Sequence, residues 1–269
     1  HFELNDPGDG LPWVQGNLCD AAAVADACRG MDGIVHVAAL HGQAWAEAGD
    51  DVGFETNVVG TKNVLEGAVR AGVKRVVFTS SIWATGHDTP PAPYLPIDED
   101  LPRQPAEMYG LSKIIGEQMC RYAAFTHGVS TLVIRPGGIR PATAYDPADA
   151  GLLFGAVDVR DVAQAHVLAL TAREGIRHNV FIITADSPLQ HVDGERYKSN
   201  PITILDNRVP GVRERVRQGL LTLPDQAEWY TTEKAESILG YQSIYGFRLE
   251  PRGSGQVGDA SEENVRMAR

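Results

Sequence analysis

Four short runs leave this chain little choice of fold. Gly33-Ile34-Val35-His36-Val37-Ala38-Ala39, Lys74-Arg75-Val76-Val77-Phe78-Thr79-Ser80, Thr131-Leu132-Val133-Ile134-Arg135 and Asn179-Val180-Phe181-Ile182-Ile183 are rich in β-branched and aromatic residues and scarcely alternate polar with apolar. A strand exposed on one face alternates, whereas a strand covered on both faces does not. Helical stretches lie between the runs. Asp20 precedes the Ala-rich segment 21–28 as an N-cap. Segment 57–71 sets Val58, Leu65, Ala68 and Val69 on one side and stops at Gly72. Segments 109–127 and 159–172 also read as helices, and Phe2-Glu3-Leu4-Asn5 and Trp13-Val14-Gln15-Gly16 as short strands. A polar, Pro-rich loop runs from about 86 to 105. Strands alternating with helices predict an α/β fold, a doubly wound parallel sheet. Ligands of such sheets gather at the carboxyl ends of the strands. Here those ends are Asp6, Ala38-Ala39, Ser80-Ser81 and Pro136-Gly137-Gly138.

Composition narrows the partners. With 35 acidic against 24 basic residues the net charge is −11, which argues against nucleic acid or an anionic membrane as a partner. Cys19, Cys28 and Cys120 are odd in number, widely spaced and without a zinc-like Cys/His pattern, so they read as free thiols. No metal-ligand cluster stands out. There is no long apolar run and no charged-then-apolar leader, so the expected location is the cytoplasm. The sequence opens at His1 in mid-pattern, which predicts that an N-terminal portion lies outside it. From Pro251 onward it carries Gly, Ser, Glu and Arg without periodicity, and disorder is expected there.

Met108-Tyr109-Gly110-Leu111-Ser112-Lys113 carries the chemistry. Residues four apart on a helix share a face, one turn apart. A phenol is a poor base at neutral pH, and a cation one turn away favours its ionised form. The pair can therefore move a proton on and off an alcohol or carbonyl oxygen.

Seven segments stand in one order: Gly16-Asn17-Leu18-Cys19-Asp20, His36-Val37-Ala38-Ala39, Asn57-Val58-Val59-Gly60-Thr61, Thr79-Ser80-Ser81, Tyr109 with Lys113, Arg135-Pro136-Gly137-Gly138, and Val157-Asp158-Val159-Arg160-Asp161-Val162-Ala163. Together they resemble the extended short-chain dehydrogenase/reductases, the NAD-dependent epimerase/dehydratase family, over residues 1–185. The stretch Lys234-Ala235-Glu236-Ser237-Ile238-Leu239-Gly240-Tyr241 resembles that family's C-terminal segment. The resemblance implies a Rossmann-type fold and NAD as cofactor. The family's Gly-x-x-Gly-x-x-Gly turn has no counterpart, because Gly8-Asp9-Gly10 lacks a surrounding strand–turn–helix pattern. The sequence is thus expected to start at the family's second strand. The first βα unit, whose helix N-terminus receives the pyrophosphate, would lie outside it.

The same resemblance distributes roles. Asp6 either accepts bonds from the adenosine ribose, favouring NAD over NADP, or is a turn aspartate before Pro7. Asn17 and Leu18 would flank the adenine. Val37, Ala38 and Ala39 would line the cofactor, and Pro136, Gly137 and Ile139 would form the loop against the nicotinamide. Tyr109 would exchange the alcohol proton, while Lys113 would tune it and bond the nicotinamide ribose. Ser81, five residues before Gly86 as in the family, would orient the substrate oxygen, with Ser80, Trp83 and Gly138 as further substrate contacts. Asn57 is either the family's active-site asparagine or an N-cap. Arg140 either holds an anionic group or pairs with a surface acid. His36, His41 and His87 are assigned no catalytic role. Trp45, Trp83 and Trp229 read as packing or pocket wall.

Ile82 and Trp83 occupy the positions where the family's dehydratases place an acidic pair, which argues against elimination of water. The short stretch between Pro141 and Val157 disfavours a nucleotide-diphosphate substrate, and Ile82-Trp83 replaces the Asn-His pair of the uronate dehydrogenases. The expected function is NAD-dependent hydride transfer on a secondary alcohol or ketone of a sugar or related small molecule. The alternatives are an epimerase using the same residues twice, a non-catalytic NAD(H)-binding scaffold, and a fragment that no longer binds cofactor. The expected layout is a cofactor domain over 1–140, a substrate region over 141–250 interleaved with sheet elements at 157–185, and the tail 251–269. A homodimer through the helices from Asn57 and Tyr109 is also implied, with Ile114, Met119 and Tyr122 as apolar candidates.

Overall fold

The four unbroken runs form one parallel sheet. The computed structural model describes residues 1–85, 92–224 and 227–249, so His87 and the tail from 251 lie outside the described residues. The strands are β1 (Phe2–Glu3), β2 (Val14–Gln15), β3 (Gly33–His36), β4 (Arg75–Thr79), β5 (Ser130–Pro136), β6 (Gly138–Arg140), β7 (Ala156–Asp158) and β8 (His178–Ile183). The helices are α1 (Ala21–Ala27), α2 (Gly42–Ala48), α3 (Asp50–Phe54), α4 (Gly60–Ala71), α5 (Met108–Tyr122), α6 (Val159–Leu170), α7 (Gly194–Ser199), α8 (Pro201–Arg208), α9 (Val212–Arg217) and α10 (Glu233–Leu239). The main sheet has the order β3-β4-β5-β8, while β1 pairs with β2 and β6 with β7, all in parallel.

Alternate residues of each central strand enter opposite cores, which explains the unbroken apolar runs. Val77, Leu132, Ile134, Phe181 and Ile183 meet Val162, Ala165 and Ala169 of α6 and Ala235 and Leu239 of α10. Val76, Phe78 and Val133 meet Leu65 and Ala68 of α4 and Cys120 of α5. Burying each such large side chain stabilises the fold by about 1.5–3 kcal/mol. A third core beyond β8 joins Tyr197, Leu205, Val212 and Trp229 to Ile97, Leu153 and Ile182.

Start and stop signals act where the sequence puts them. The Asp20 carboxylate accepts from the Ala22 and Ala23 backbone N–H groups at 3.0 and 3.1 Å. Gly72 ends α4, and Gly240 ends α10, in the left-handed region. That second turn returns Tyr241 to the sheet, where its hydroxyl donates to Thr184 O at 3.0 Å.

One helix begins earlier than expected. Helices α2 and α3 were not anticipated, and α3 continues through a π-helical turn, Glu55–Val59, into α4. Asn57 sits inside that turn, so it is not an N-cap. Glycine at positions 42, 49 and 53 conceals these helices in the sequence. Gly53 is required there, because a Cβ would lie 2.7 Å from the Trp45 ring packed over it.

Candidate active site

The carboxyl ends of β3, β4 and β5 lie side by side, and the expected residues collect there. Past β3, Val37 is exposed and Ala38 and Ala39 are half-buried. Past β4 comes Ser81, buried, then Trp83, 47% exposed. At the end of β5 Pro136 and Gly137 are buried, while Gly138 and Ile139 face outward. The Gly137 backbone passes so close to Gly155 O that a Cβ there would overlap it.

Helix α5 delivers the tyrosine and lysine. Ser81 neighbours the Tyr109 phenol and acts on it in the lowering direction. Trp45 packs edge-on to the Tyr109 ring at 5.9 Å between centroids, and the His41 ring lies 6.3 Å away. Lys113 is 3% exposed, and its ammonium donates to Thr79 O at 2.9 Å. It lies 5.7 Å from the Tyr109 ring centroid. This is Lys113's one hydrogen bond among the described residues, so two of its three N–H groups are unspent. Burial pulls the Lys113 ammonium down from 10.5 to about 8, while Glu117 opposes the fall.

The phenol does not follow the simple expectation of a cation-lowered group. Burial holds Tyr109 above its ordinary value, with Ser81 acting in the lowering direction and Glu107 in the raising one. The Lys113 ammonium donates to the β4 backbone, and desolvation is the largest influence on the ring.

Several expected contacts are spent elsewhere. Ser80 is 2% exposed and its hydroxyl donates to Glu117 Oε1 at 2.6 Å. Strand alternation turns Ser80 under helix α5 and leaves Ser81 at the rim. Asn57 is likewise enclosed. Its side chain accepts from Leu40 N at 2.8 Å and donates to Leu40 O and to Ser112 Oγ at 3.0 and 3.2 Å. Asn57 thereby ties the chain after β3 to helix α5. Arg140 is clamped by Asp149 at 2.8 Å. Asp6 is exposed and accepts from Gly8 N at 2.8 Å, which is the turn role. The Asn17 side chain accepts from Cys19 N at 2.9 Å, and Leu18 packs with Val24 and Cys28 under α4.

Three buried groups surround this centre; sequence reading assigned His36 no catalytic role and passed over His166 and Glu117. His36 Nε2 lies 2.9 Å from Thr61 Oγ1, and the Thr61 proton is committed to Asn57 O at 2.6 Å. His36 is therefore the donor, as its Nε2–H tautomer. Behind Lys113, His166 Nδ1 donates to Val162 O at 2.8 Å, so its Nε2 accepts from Thr79 Oγ1 at 2.7 Å. Glu117 stands one further turn along the Tyr109–Lys113 face and forms a bidentate pair with Arg135 at 2.8 Å on each arm. The one available signal was the spacing of 109, 113 and 117.

The parallel sheet, doubly covered and carrying Ser81, Tyr109 and Lys113 at its carboxyl edge, defines a Rossmann-type nucleotide-binding protein. The model of the NAD dependent epimerase/dehydratase family matches residues 2–154, and the chain belongs to that family. Cinnamoyl-CoA reductase 1 of Petunia hybrida is 30% identical over 191 residues, 62% of this chain and 55% of the relative. A uronate dehydrogenase of Pseudomonas putida is 34% identical over 125 residues, 46% of this chain and 44% of the relative. The chain thus spans about half the length of these curated relatives. A short-chain dehydrogenase/reductase superfamily protein from Agrobacterium tumefaciens, solved with bound NAD, shares the fold. Its TM-score is 0.67 at 24% identity, covering 90% of this chain and 84% of that one. NAD is the family's cofactor. No helix among the described residues is long and apolar enough to cross a membrane.

Proposed function

We propose that Ser81, Tyr109 and Lys113 perform NAD-dependent hydride transfer on a carbon bearing a secondary alcohol or ketone, in a sugar or related small molecule. The buried Lys113 ammonium carries this reading, with two unspent N–H groups one helical turn from a phenol that Ser81 neighbours. Those N–H groups fit the hydroxyls of a nicotinamide ribose. Val37 and Ile139, 58% and 45% exposed, offer apolar surface to a flat ring, and Ala38, Ala39, Pro136 and Gly137 leave room for it. Asp6 keeps one carboxylate oxygen uncommitted for the adenosine ribose, beside Asn17 and Leu18. No Gly-x-x-Gly-x-x-Gly turn occurs in residues 1–269, so these residues supply the nicotinamide half of the site and the pyrophosphate cradle is not among them.

NAD, when bound, supplies the hydride acceptor or donor. In the oxidising direction Tyr109 takes the hydroxyl proton. Ser81, whose oxygen accepts from Trp83 N at 3.2 Å, donates its own proton to the reacting oxygen. Taking the substrate hydroxyl proton requires Tyr109 as the phenolate, against which Lys113 holds positive charge. In reduction Tyr109 gives the proton back. Trp83 walls the substrate side, together with Gly138. Arg140 pairs through Nε with Asp149, and its terminal N–H groups are the donors it could offer an anionic substrate group.

The assignment of 1–140 to cofactor and 141–250 to substrate, a cytoplasmic location and a homodimer through the helices from Asn57 and Tyr109 belong to the same reading. Tyr122, 61% exposed, leads the outward face of α5, with Ile114 and Met119 beside it, whereas α4 presents the charged row Lys62-Glu66-Arg70.

Calorimetry with NAD and NADH tests the reading. We expect micromolar binding by the full chain, much weakened in Lys113→Ala, and NADH formation with a member of a secondary-alcohol panel. A folded full chain that neither binds cofactor nor turns over any member would refute it. Inverted product stereochemistry without net NADH would identify the epimerase instead.

A further inference from the structure

We propose that Glu117 is the positioning residue of this centre, its buried carboxylate locking the serine end of β4 and the loop end of β5 to the helix that carries Tyr109 and Lys113. The proposal rests on the hydride-transfer reading for its consequence and on geometry for its content.

Tyr109, Lys113 and Glu117 are spaced by four along α5 and form one stripe facing the sheet. Glu117 is 2% exposed. One oxygen accepts from the Ser80 hydroxyl at 2.6 Å and from Arg135 Nε at 2.8 Å. The other accepts from Arg135 Nη2 at 2.8 Å and from Arg103 Nη1 at 3.2 Å. Each tether reaches a functional neighbour. Ser80 precedes Ser81, so fixing its hydroxyl fixes the backbone from which Ser81 meets Tyr109. Arg135 precedes Pro136 and Gly137, the start of the nicotinamide loop. Arg103 brings in the segment leading to α5. Two strand ends and one helix thus share one carboxylate, and near-attack geometry depends on their relative placement.

Charge is the second part. Lys113 is faced by Glu117 and Tyr109 from its own helix and by His36 from β3. Glu117 is faced by Arg135 from β5 and Arg103 from the preceding segment, with His178 of β8 and the Cys120 thiol at longer range. Within that set Glu117 is the anion that supports the Lys113 ammonium against desolvation.

The two parts separate in two variants of the full chain. Glu117→Gln removes the charge and keeps the shape. Ser80→Ala removes one tether and keeps the charge. Titration of the lysine Nζ resonances by NMR, with Lys113 assigned by its absence in Lys113→Met, reads the charge with no need of substrate. We expect the Lys113 transition to fall by on the order of 1 pH unit in Glu117→Gln and to stay in place in Ser80→Ala. Where a substrate is in hand, Ser80→Ala should lower kcat by about 10-fold with little change in KM. An unmoved Lys113 transition in folded Glu117→Gln overturns the proposal. If Glu117→Gln does not fold, Ser80→Ala decides it, because an unchanged Tyr109–Ser81 contact in its crystal structure and an unchanged kcat overturn the positioning role. Absence of turnover in the parent chain counts against hydride transfer, while the titration still decides the role of Glu117.

Discussion

Tyr109 is the residue on which the chemistry turns, and its environment works in two directions. Burial keeps the phenol protonated, and Ser81 beside it acts in the opposite, lowering direction. A protonated, oriented phenol is ready to donate to a carbonyl oxygen, and the lysine one turn away compensates the charge left behind. Tyr109→Phe keeps the ring packed on Trp45 and removes only the hydroxyl. We expect turnover to fall by about 10²–10⁴-fold with cofactor affinity nearly unchanged, measured by steady-state kinetics beside NADH calorimetry. A variant retaining a tenth of the parent rate would move the proton transfer to another group. Tyr109, Lys113 and Ser81 were legible in the sequence because helical spacing and strand order place them without knowledge of packing. The partners of Ser80 and Asn57 were not legible, for the complementary reason. Which of two adjacent serines faces out, and whether an asparagine caps a helix or bridges two segments, depends on neighbours distant in the chain. Glu117 was invisible in the same way, because its partner Arg135 lies 18 residues ahead on a strand.

At the scale of elements, the sheet was readable and its margins were not. Unbroken β-branched runs fixed β3, β4, β5 and β8, whereas β6 and β7, three residues each, are too short to show a period. Helices α7 to α9 are six to eight residues long and owe their place to the third core rather than to a repeating apolar stripe. The β5–β6 junction matters most for function. Gly137 N donates to Ile183 O and Gly138 N to Gly155 O, each at 2.9 Å, so the chain is stitched on both sides as it leaves the sheet. The obstruction to a Gly137 side chain is the Gly155 carbonyl, a backbone group that cannot rotate aside. Gly137→Ala should therefore push the loop off β7. We expect a loss of about 1–3 kcal/mol in denaturant unfolding, with weaker cofactor binding. Ala at the exposed Gly138 should be nearly neutral, since the nearest side-chain atom, Arg140 Nη1, stands 3.5 Å from a Cβ there. Equal effects at the two positions would remove the steric argument.

For the whole molecule, buried cations and imidazoles set how stability varies with pH. His36 is buried and sensitive to Lys113, and desolvation pulls it from 6.5 to about 3. The unfolded chain takes up that proton below 6.5 while the folded chain refuses it until about 3, so this contribution is complete above 6.5 and lost as pH falls through that window. Burial lowers His166 and His178 as well and adds to the acid limb, whereas the carboxyls of Glu99, Asp161 and Asp186, raised by burial, oppose it. Lys113 acts on the alkaline side. The unfolded chain holds its proton up to 10.5 and the folded chain to about 8, so stability rises between those values and the full cost of the buried ammonium is present below them. That cost is roughly 3 kcal/mol at pH 7. Replacing the ammonium by a thioether leaves Thr79 O unpaired, which gives back about 1–2 kcal/mol. Unfolding by denaturant at a series of pH values should therefore show Lys113→Met more stable than the parent at pH 7 by about 1–2 kcal/mol, without the parent's rise between pH 8 and 10.5. His36→Gln, which keeps a donor for Thr61, should flatten the acid limb and leave the alkaline side alone. A Lys113→Met chain less stable than its parent at pH 7 would mean that the ammonium is a structural group. Greater stability would mark Lys113 as a charge retained at the fold's expense, as expected of a residue kept for its chemistry.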